Sequence, residues 1–145
     1  MTLDPTTNLL QAARDRYLAE TLFFPCDVER LPNGNTLITD AGDLRSAGSK
    51  VIEVSPFGEI VWRYTGDLVF AHGGKRLPNG NTLIADTNNN RVIEVTPEGE
   101  IAFSSDDWGG GSGRLSDGTH LAYPNDAHLL DDGTLLITDR NNDRC

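Results

Sequence analysis

The sequence predicts an all-β fold: a partial β-propeller of about three four-stranded antiparallel blades, the third incomplete, with a short N-terminal helix. The first observation is a repeat, because "LPNGNTLITD", "LPNGNTLIAD" and "LDDGTLLITD" end at Asp40, Asp86 and Asp139. The separations of 46 and 53 residues are typical of propeller blades. The second observation is composition, since 15 Gly and 7 Pro in 145 residues favour many tight turns.

Each repeat is interpreted as four short strands, a to d. Strand a is predicted at 25–31, 71–77 and 124–130, strand b is "TLIT", "TLIA" or "LLIT", strand c is "KVIEV" or "RVIEV", and strand d is "IVWRY" or "IAF". Turns such as "PNGN" place Pro and Gly where a tight turn needs them. Strands b and c are nearly continuous in apolar residues, which predicts burial on both faces. Strand d alternates, with Trp62 on one face and Arg63 on the other.

The predicted blades run over about 23–66, 67–107 and 121–145, the last one incomplete. Connections that are all hairpins exclude a parallel sheet with crossover helices. A stacked solenoid is the alternative, but solenoid repeats are usually shorter.

Residues 1–22 are predicted to form an amphipathic helix and a linker. Asp4 is suited to cap a helix with Pro5 at its first position. Leu10, Ala13 and Tyr17 then fall on one face, which would pack on the propeller or on a partner.

The composition also excludes several classes of partner. A net charge of −10 argues against nucleic acid and anionic membrane surfaces. No window is apolar enough for a membrane span. The start of the chain lacks the basic and apolar regions of a signal peptide, and two cysteines do not make a disulfide framework. We therefore expect an acidic, cytoplasmic protein.

"LPNGNTLIADTNNNRVIEV" and "PNDAHLLDDGTLLITDRNNDR" resemble the repeats of six-bladed propellers that include the NHL-repeat and bacterial arylsulfotransferase-like proteins, over residues 24–145. Arylsulfotransferases of this type move a sulfuryl group between phenols through a histidine near the propeller axis, and a His-Asp pair often precedes their "LPNGN". The corresponding positions are Cys26-Asp27, His72-Gly73 and Asn125-Asp126. The resemblance implies His72 as the candidate catalytic residue, although no blade has the pair intact.

Strand a lines the axis of a propeller, so Cys26, His72 and Asn125 are expected near one another at the mouth of the channel. A histidine beside a thiol could form a nucleophile, and a histidine with two carboxylates could bind a metal. The alternative is that these side chains fill the channel and bond to water or backbone. No metal or cofactor is predicted.

Two loops, "DTNNNR" at 86–91 and "DRNNDR" at 139–144, have the oxygen spacing of calcium loops. They lack the Gly and Glu that complete an EF-hand. They are therefore predicted to be structural turns, in which each Asp ties its own turn or pairs with an Arg of another blade.

Seven extra residues precede Asp139, within "SSDDWGGGSGRLSDGTHLAYP". This Gly-rich insertion carries Trp108, Arg114 and His120, which are candidate binding residues of a lid over the axial mouth. A disordered surface insertion is the alternative.

Blade three is predicted to have strands a and b only, because "NNDRC" stands where blade two continues "NNNRVIEV". The chain would be a fragment or a wedge whose two end faces expose apolar side chains. We expect a homodimer with about six blade positions. The predicted function is a propeller binding or scaffold module with a small-molecule or protein ligand at the axial mouth, and the alternative is sulfuryl transfer.

Overall fold

The computed structural model describes residues 22–45 and 47–145, and these form three antiparallel sheets in chain order. The first contains β1 (Pro25–Arg30), β2 (Thr36–Asp40), β3 (Lys50–Val54) and β4 (Ile60–Tyr64). The second contains β5 (Ala71–Arg76), β6 (Thr82–Asp86), β7 (Arg91–Val95) and β8 (Ile101–Ser104). The third contains β9 (Pro124–Leu129) and β10 (Leu135–Asp139). We call the sheets blades one, two and three, and they confirm the predicted fold class.

The turn between strands a and b has the same geometry in each blade. In blade one the N–H of Leu31 donates to the carbonyl of Asn35 at 2.9 Å, and Gly34 has φ of 87°. The equivalent leucines, Leu77 and Leu130, make the same bond. Strand a therefore ends one residue before its predicted end, because this leucine belongs to the turn.

The insertion contains a further copy of this turn, which the sequence analysis missed. After β8, a 3-10 turn (Ser105–Asp107) and a short helix α1 (Trp108–Gly111) lead into "RLSDGT". There the N–H of Leu115 donates to the carbonyl of Thr119 at 2.8 Å, and Gly118 has φ of 82°.

Neighbouring blades share two apolar clusters. Between blades one and two, one cluster includes Leu37, Val51 and Tyr64 from blade one and Ile84, Ile93 and Val95 from blade two. Between blades two and three, the other includes Leu83, Val92, Leu121, Ala127 and Ile137, with Trp108 and Leu115 of the insertion packed against it. The core thus lies between the sheets, as in a propeller.

The two end faces differ from each other. On the face of blade one turned away from blade two, Ile38 and Ile52 are only 6% and 1% exposed, and Leu22 packs against them. The expectation that this face would be bare is wrong. On blade three, Leu136 is 45% exposed, which confirms the expectation for that face.

The helix predicted within residues 1–22 falls outside the described residues, except for Leu22. Among residues 22–45 and 47–145, no helix has the length and apolar character needed to cross a membrane.

Candidate functional site

The first strands of the three blades lie side by side, and side chains of β1 bond to β5. Asp27 Oδ2 accepts hydrogen bonds from the N–H of Gly74 at 3.2 Å and from Lys75 Nζ at 2.6 Å. Glu29 Oε2 accepts from the N–H of Arg76 at 2.9 Å. The carboxylates of Asp27 and Glu29 therefore accept hydrogen bonds from backbone N–H groups of β5 that are not bonded within the β5–β6 hairpin.

The contact between β5 and β9 explains the glycine of blade two. A Cβ at Gly73 would lie 2.7 Å from Asp126 Oδ1 and 2.9 Å from the carbonyl oxygen of Asn125. Gly73 takes the repeat position that Asp27 and Asp126 hold in the other blades. A side chain at this position in blade two would clash with β9.

Cys26, His72 and Asn125 share a backbone feature that the sequence analysis missed. Each is the extra residue of a β-bulge, because the pairing of strand a with strand b skips it: Pro25 and Asp27 pair with Asp40 and Thr39, and blades two and three repeat the pattern. β-bulges re-aim side chains and are frequent beside functional sites. Such a bulge is identified from the register in which strand a pairs with strand b, compared from one repeat to the next.

The side chains of the three bulge residues have separate surroundings. The thiol of Cys26 donates to the carbonyl of Phe24 at 3.4 Å, and burial raises its pKa, with Asp40 and Asp27 adding to the rise. His72 is half-buried, with its ring centroid 6.4 Å from that of Phe70. Within the described residues, no hydrogen bond joins these side chains to one another. The protonated thiol is a poor nucleophile.

Asn125 has a buried Oδ1 atom with no hydrogen-bond partner in the described part of the chain. Such an acceptor costs free energy unless a donor reaches it. Among the three bulge residues, Asn125 is therefore the one with an unsatisfied buried atom in the described part of the chain.

Two further titratable residues lie on the inner strands. Lys75 binds Asp27, and His128 Nε2 lies 2.9 Å from Asp126 Oδ2. Burial opposes ionisation of both Asp27 and Lys75, yet their mutual hydrogen bond leaves the pKa of Asp27 lowered and that of Lys75 raised. Side chains two residues apart on a strand lie on the same face. The spacing from Asp27 to Glu29 and from Asp126 to His128 could therefore have identified these titratable residues from the sequence.

The three candidate residues of the insertion have contacts within it and with the core. The ring of Trp108 lies 5.9 Å from that of Phe103 and packs against the cluster between blades two and three. Arg114 Nη1 donates to the carbonyl of Gly118 at 2.8 Å, and His120 Nε2 lies 3.1 Å from the carbonyl of Ser112. In the described structure no hydrogen bond, ion pair or ring contact joins them to Cys26, His72 or Asn125.

The loops with calcium-like spacing are tied by their own arginines. Asp86 Oδ2 accepts from Arg91 Nε at 2.8 Å, and Asp139 Oδ2 accepts from Arg144 Nε at the same distance. Both pairs lie within one loop, so each Asp ties its own turn, as the first of the two predicted alternatives states. Across residues 22–45 and 47–145, no three His, Cys, Asp or Glu side chains are grouped to hold a metal ion.

No protein-family model matches the chain, and no curated protein matches it in sequence. Solved structures with a similar fold include β-propeller proteins. A catalytically inactive virginiamycin B lyase from Staphylococcus aureus, solved with quinupristin, has 21% identity and a TM-score of 0.57, with 81% of this chain and 35% of the lyase covered. The WD40 β-propeller domain of Doa1 has 15% identity and a TM-score of 0.56, with 78% and 32% covered.

A putative gluconolactonase has 21% identity and a TM-score of 0.51, with 78% of this chain and 40% of that protein covered. The chain thus spans about a third to two fifths of the length of these three proteins. Identities this low establish the fold alone. The chain has the architecture of a partial β-propeller, with two four-stranded blades and a two-stranded third.

Proposed function

We propose that this chain is a β-propeller binding and scaffold module that self-associates to complete a ring of blades. The observation that carries the proposal is the apolar face of blade three that points away from blade two. Two leucines of the repeat are exposed there, although their equivalents in the other blades are buried.

The first leucine is the one at the a–b turn: Leu31 and Leu77 are 4% and 6% exposed, whereas Leu130 is 43% exposed. The second lies in strand b, where Leu37 and Leu83 are each 1% exposed and Leu136 is 45% exposed. Fully burying a leucine contributes roughly 1.5–3 kcal/mol. A neighbour on this face would therefore stabilise the chain.

The proposed neighbour is blade one of a second copy. Ile38 and Ile52 hold the repeat positions at which Ile84 and Ile93 of blade two receive blade one. They are already covered in the single chain, with Leu22 packed against them. Closing a ring of two copies therefore requires Leu22 to leave this cluster.

Analytical ultracentrifugation at micromolar protein tests the association. The unmodified chain is expected to sediment as a dimer and Leu136→Asp as a monomer, because a charge on this face cannot be buried unpaired. Leu44→Asp is the matched control, since Leu44 is fully exposed outside the face, and it should leave the dimer intact. A folded monomer of the unmodified chain would contradict the proposal.

The proposed ligand site is the axial mouth lined by the bulge residues, where Asn125 offers an unsatisfied acceptor. The proposal places the protein in the cytoplasm, and its two free cysteines, Cys26 and Cys145, fit that setting.

Sulfuryl transfer is the second candidate, and the half-buried position of His72 at a bulge of the middle blade favours it. An assay with an aryl sulfate donor and a phenol acceptor tests it. Activity that is lost in His72→Ala and kept in His128→Ala would support this reaction over the scaffold role.

A further inference from the structure

The a–b turns of blades one and two contain the two Asn-Gly pairs of the sequence, Asn33-Gly34 and Asn79-Gly80. In such a pair the backbone nitrogen after the asparagine can approach the side-chain carbonyl carbon closely, because glycine has no Cβ to obstruct it. Both asparagines are exposed to solvent. Each turn therefore carries a chemically labile amide at the protein surface.

The reaction available to such a pair is loss of the side-chain amide, with solvent water as the co-reactant. In blade two the nitrogen of Gly80 would form a bond to Asn79 Cγ and lose its proton to solvent. The Cγ–Nδ2 bond would break and Nδ2 would leave as ammonia, which gives a five-membered cyclic imide. Water then opens the ring at either carbonyl, so the product is aspartate or isoaspartate. The Gly80 nitrogen and Asn79 Nδ2 are therefore the two atoms that must be free to react.

In the folded turn both of these atoms have hydrogen-bond partners. The N–H of Gly80 donates to the carbonyl of Leu77 at 3.0 Å. Asn79 Nδ2 donates to Glu94 Oε1 at 3.0 Å, and Asn79 Oδ1 accepts the N–H of Asn81 at 2.9 Å. The side chain is held as long as Glu94 stays in place, and cyclisation requires the turn to open. Glu94 of strand c therefore restrains the reaction of Asn79.

The two blades hold this strand-c glutamate with different strength. In blade one, Glu53 also pairs with Arg76 of blade two, whose Nη2 lies 2.9 Å from Glu53 Oε2. Leu129 holds the repeat position of Arg76 in blade three, and no basic side chain in the described part of the chain pairs with Glu94. Glu53 is buried, whereas Glu94 is half-buried. The turn of blade two should therefore open more often than the turn of blade one.

A change of Asn79 to aspartate would break the contact with strand c. A carboxylate oxygen would take the position of Nδ2, 3.0 Å from Glu94 Oε1, and two like charges at this distance repel each other. The turn of the insertion shows which partner such an aspartate accepts. There Asp117 has the same turn position, and its Oδ2 accepts from Arg144 Nη1 at 2.7 Å. Aspartate is thus compatible with this turn but needs a donor, which the Glu94 carboxylate cannot supply.

We propose that Asn79 is a site of spontaneous conversion to aspartate and isoaspartate, restrained by Glu94, and that the conversion releases strand c of blade two from its a–b turn. Asn33 is the same chemical group held more firmly, through Glu53 and Arg76. Because ammonia is lost, the chain itself cannot reverse the change. The modified fraction therefore increases with the age of the molecule, and each event adds one negative charge at the turn.

The test is incubation of the full chain at neutral pH, followed by peptide mapping with mass spectrometry, which resolves the two sites and detects replacement of NH₂ by OH. Asn79 should convert about three- to fivefold faster than Asn33, as expected from the additional ion pair at Glu53. Glu94→Ala should raise the rate at Asn79 and leave the rate at Asn33 unchanged, so Asn33 is a control within the same molecule. Glu98→Ala is the matched control variant, because Glu98 is an exposed acid of the same blade and should leave both rates unchanged.

A second measurement tests the consequence of the conversion directly. Asn79→Asp should lower the midpoint of thermal unfolding. The loss should be smaller when it is measured in a Glu94→Gln background, because the glutamine amide can donate to the new carboxylate. Equal rates at Asn79 and Asn33, an unchanged rate at Asn79 in a folded Glu94→Ala chain, or a loss in Asn79→Asp that Glu94→Gln does not reduce would each overturn the proposal.

Discussion

At the scale of single residues, the aspartate that ends strand b joins two parts of its blade. Asp40 Oδ1 and Oδ2 accept the N–H groups of Phe24 and Phe23 at 2.7 and 3.0 Å, just before β1 begins. Asp86 and Asp139 do the same for Val69 and Ala122 before the next two blades' first strands. The repeated Asp is therefore a buried acceptor for backbone donors that no strand satisfies.

Asp40→Asn should lower the free energy of unfolding by about 2 kcal/mol. The amide has one acceptor oxygen instead of two, and its NH₂ group would face the N–H donors of Phe23 and Phe24. Urea unfolding at neutral pH measures the change. Asp107→Asn is the control, because Asp107 is exposed, and equal losses in the two variants would contradict the role assigned to Asp40.

At the scale of elements, two side chains of the loop after β10 hold the insertion to blade three: Asn142 Nδ2 donates to the carbonyl of His120 at 2.8 Å, and Arg144 makes the larger set of contacts. Arg144 contacts Asp139 of β10 and also Asp117 and Thr119 of the insertion turn. Trp108 and Leu115 pack at the same junction. The insertion is therefore an ordered part of the junction between blades two and three.

Arg144→Ala should increase hydrogen exchange of the insertion amides, residues 105–121, by roughly three- to tenfold, because it removes three contacts at once. Amide exchange followed by mass spectrometry measures this. Arg140→Ala is the control, since Arg140 is exposed on the same loop. Unchanged exchange in Arg144→Ala would show that the apolar contacts and the Asn142 hydrogen bond hold the insertion without the arginine.

The elements that could be predicted from the sequence are those that local pattern determines. Apolar runs and Pro–Gly turns identify the strands of blades one and two, because each side chain faces a neighbour at a fixed period. The turn at Leu115 was missed because no apolar strand b follows it, whereas such a strand follows the copies at Leu31, Leu77 and Leu130. The bulges at Cys26, His72 and Asn125 were missed because they depend on strand register, which single strands do not show.

The site was predicted less completely than the fold. The ion pair of Lys75 with Asp27 joins residues 48 positions apart in different blades. Such a contact follows from the tertiary arrangement and has no local signal. The face of blade one was expected to be bare because residues that cover it, such as Leu22, lie outside the repeat.

At the scale of the whole molecule, several carboxylates have lowered pKa values in the folded chain. Burial opposes the effect at Asp40, Glu53 and Asp139, but hydrogen bonds from backbone N–H groups, asparagines and basic side chains outweigh it. The unfolded chain therefore takes up protons more readily than the folded one. Stability from these groups is present above their unfolded pKa, about 4, and is lost as pH falls through the folded values.

The midpoint of urea unfolding should therefore fall as the pH is lowered below about 4. Asp40→Asn should show a shallower fall, because one of the groups with a lowered pKa is absent. Circular dichroism at a series of pH values measures both. A midpoint that stays constant down to pH about 3 would contradict the assigned pKa directions.

The two tryptophans of the chain give each junction between blades its own optical signal. Trp62 Nε1 donates to the carbonyl of Pro97 in blade two at 2.9 Å, and the guanidinium of Arg76 lies 5.0 Å above its ring. Trp108 packs at the other junction. Because repeat proteins are stabilised by contacts between neighbours, the junctions can separate one at a time. In a Trp108→Phe variant the remaining indole, Trp62, would report by its fluorescence when blades one and two separate. In a Trp62→Phe variant Trp108 would report in the same way on blades two and three, and neither measurement needs an attached dye.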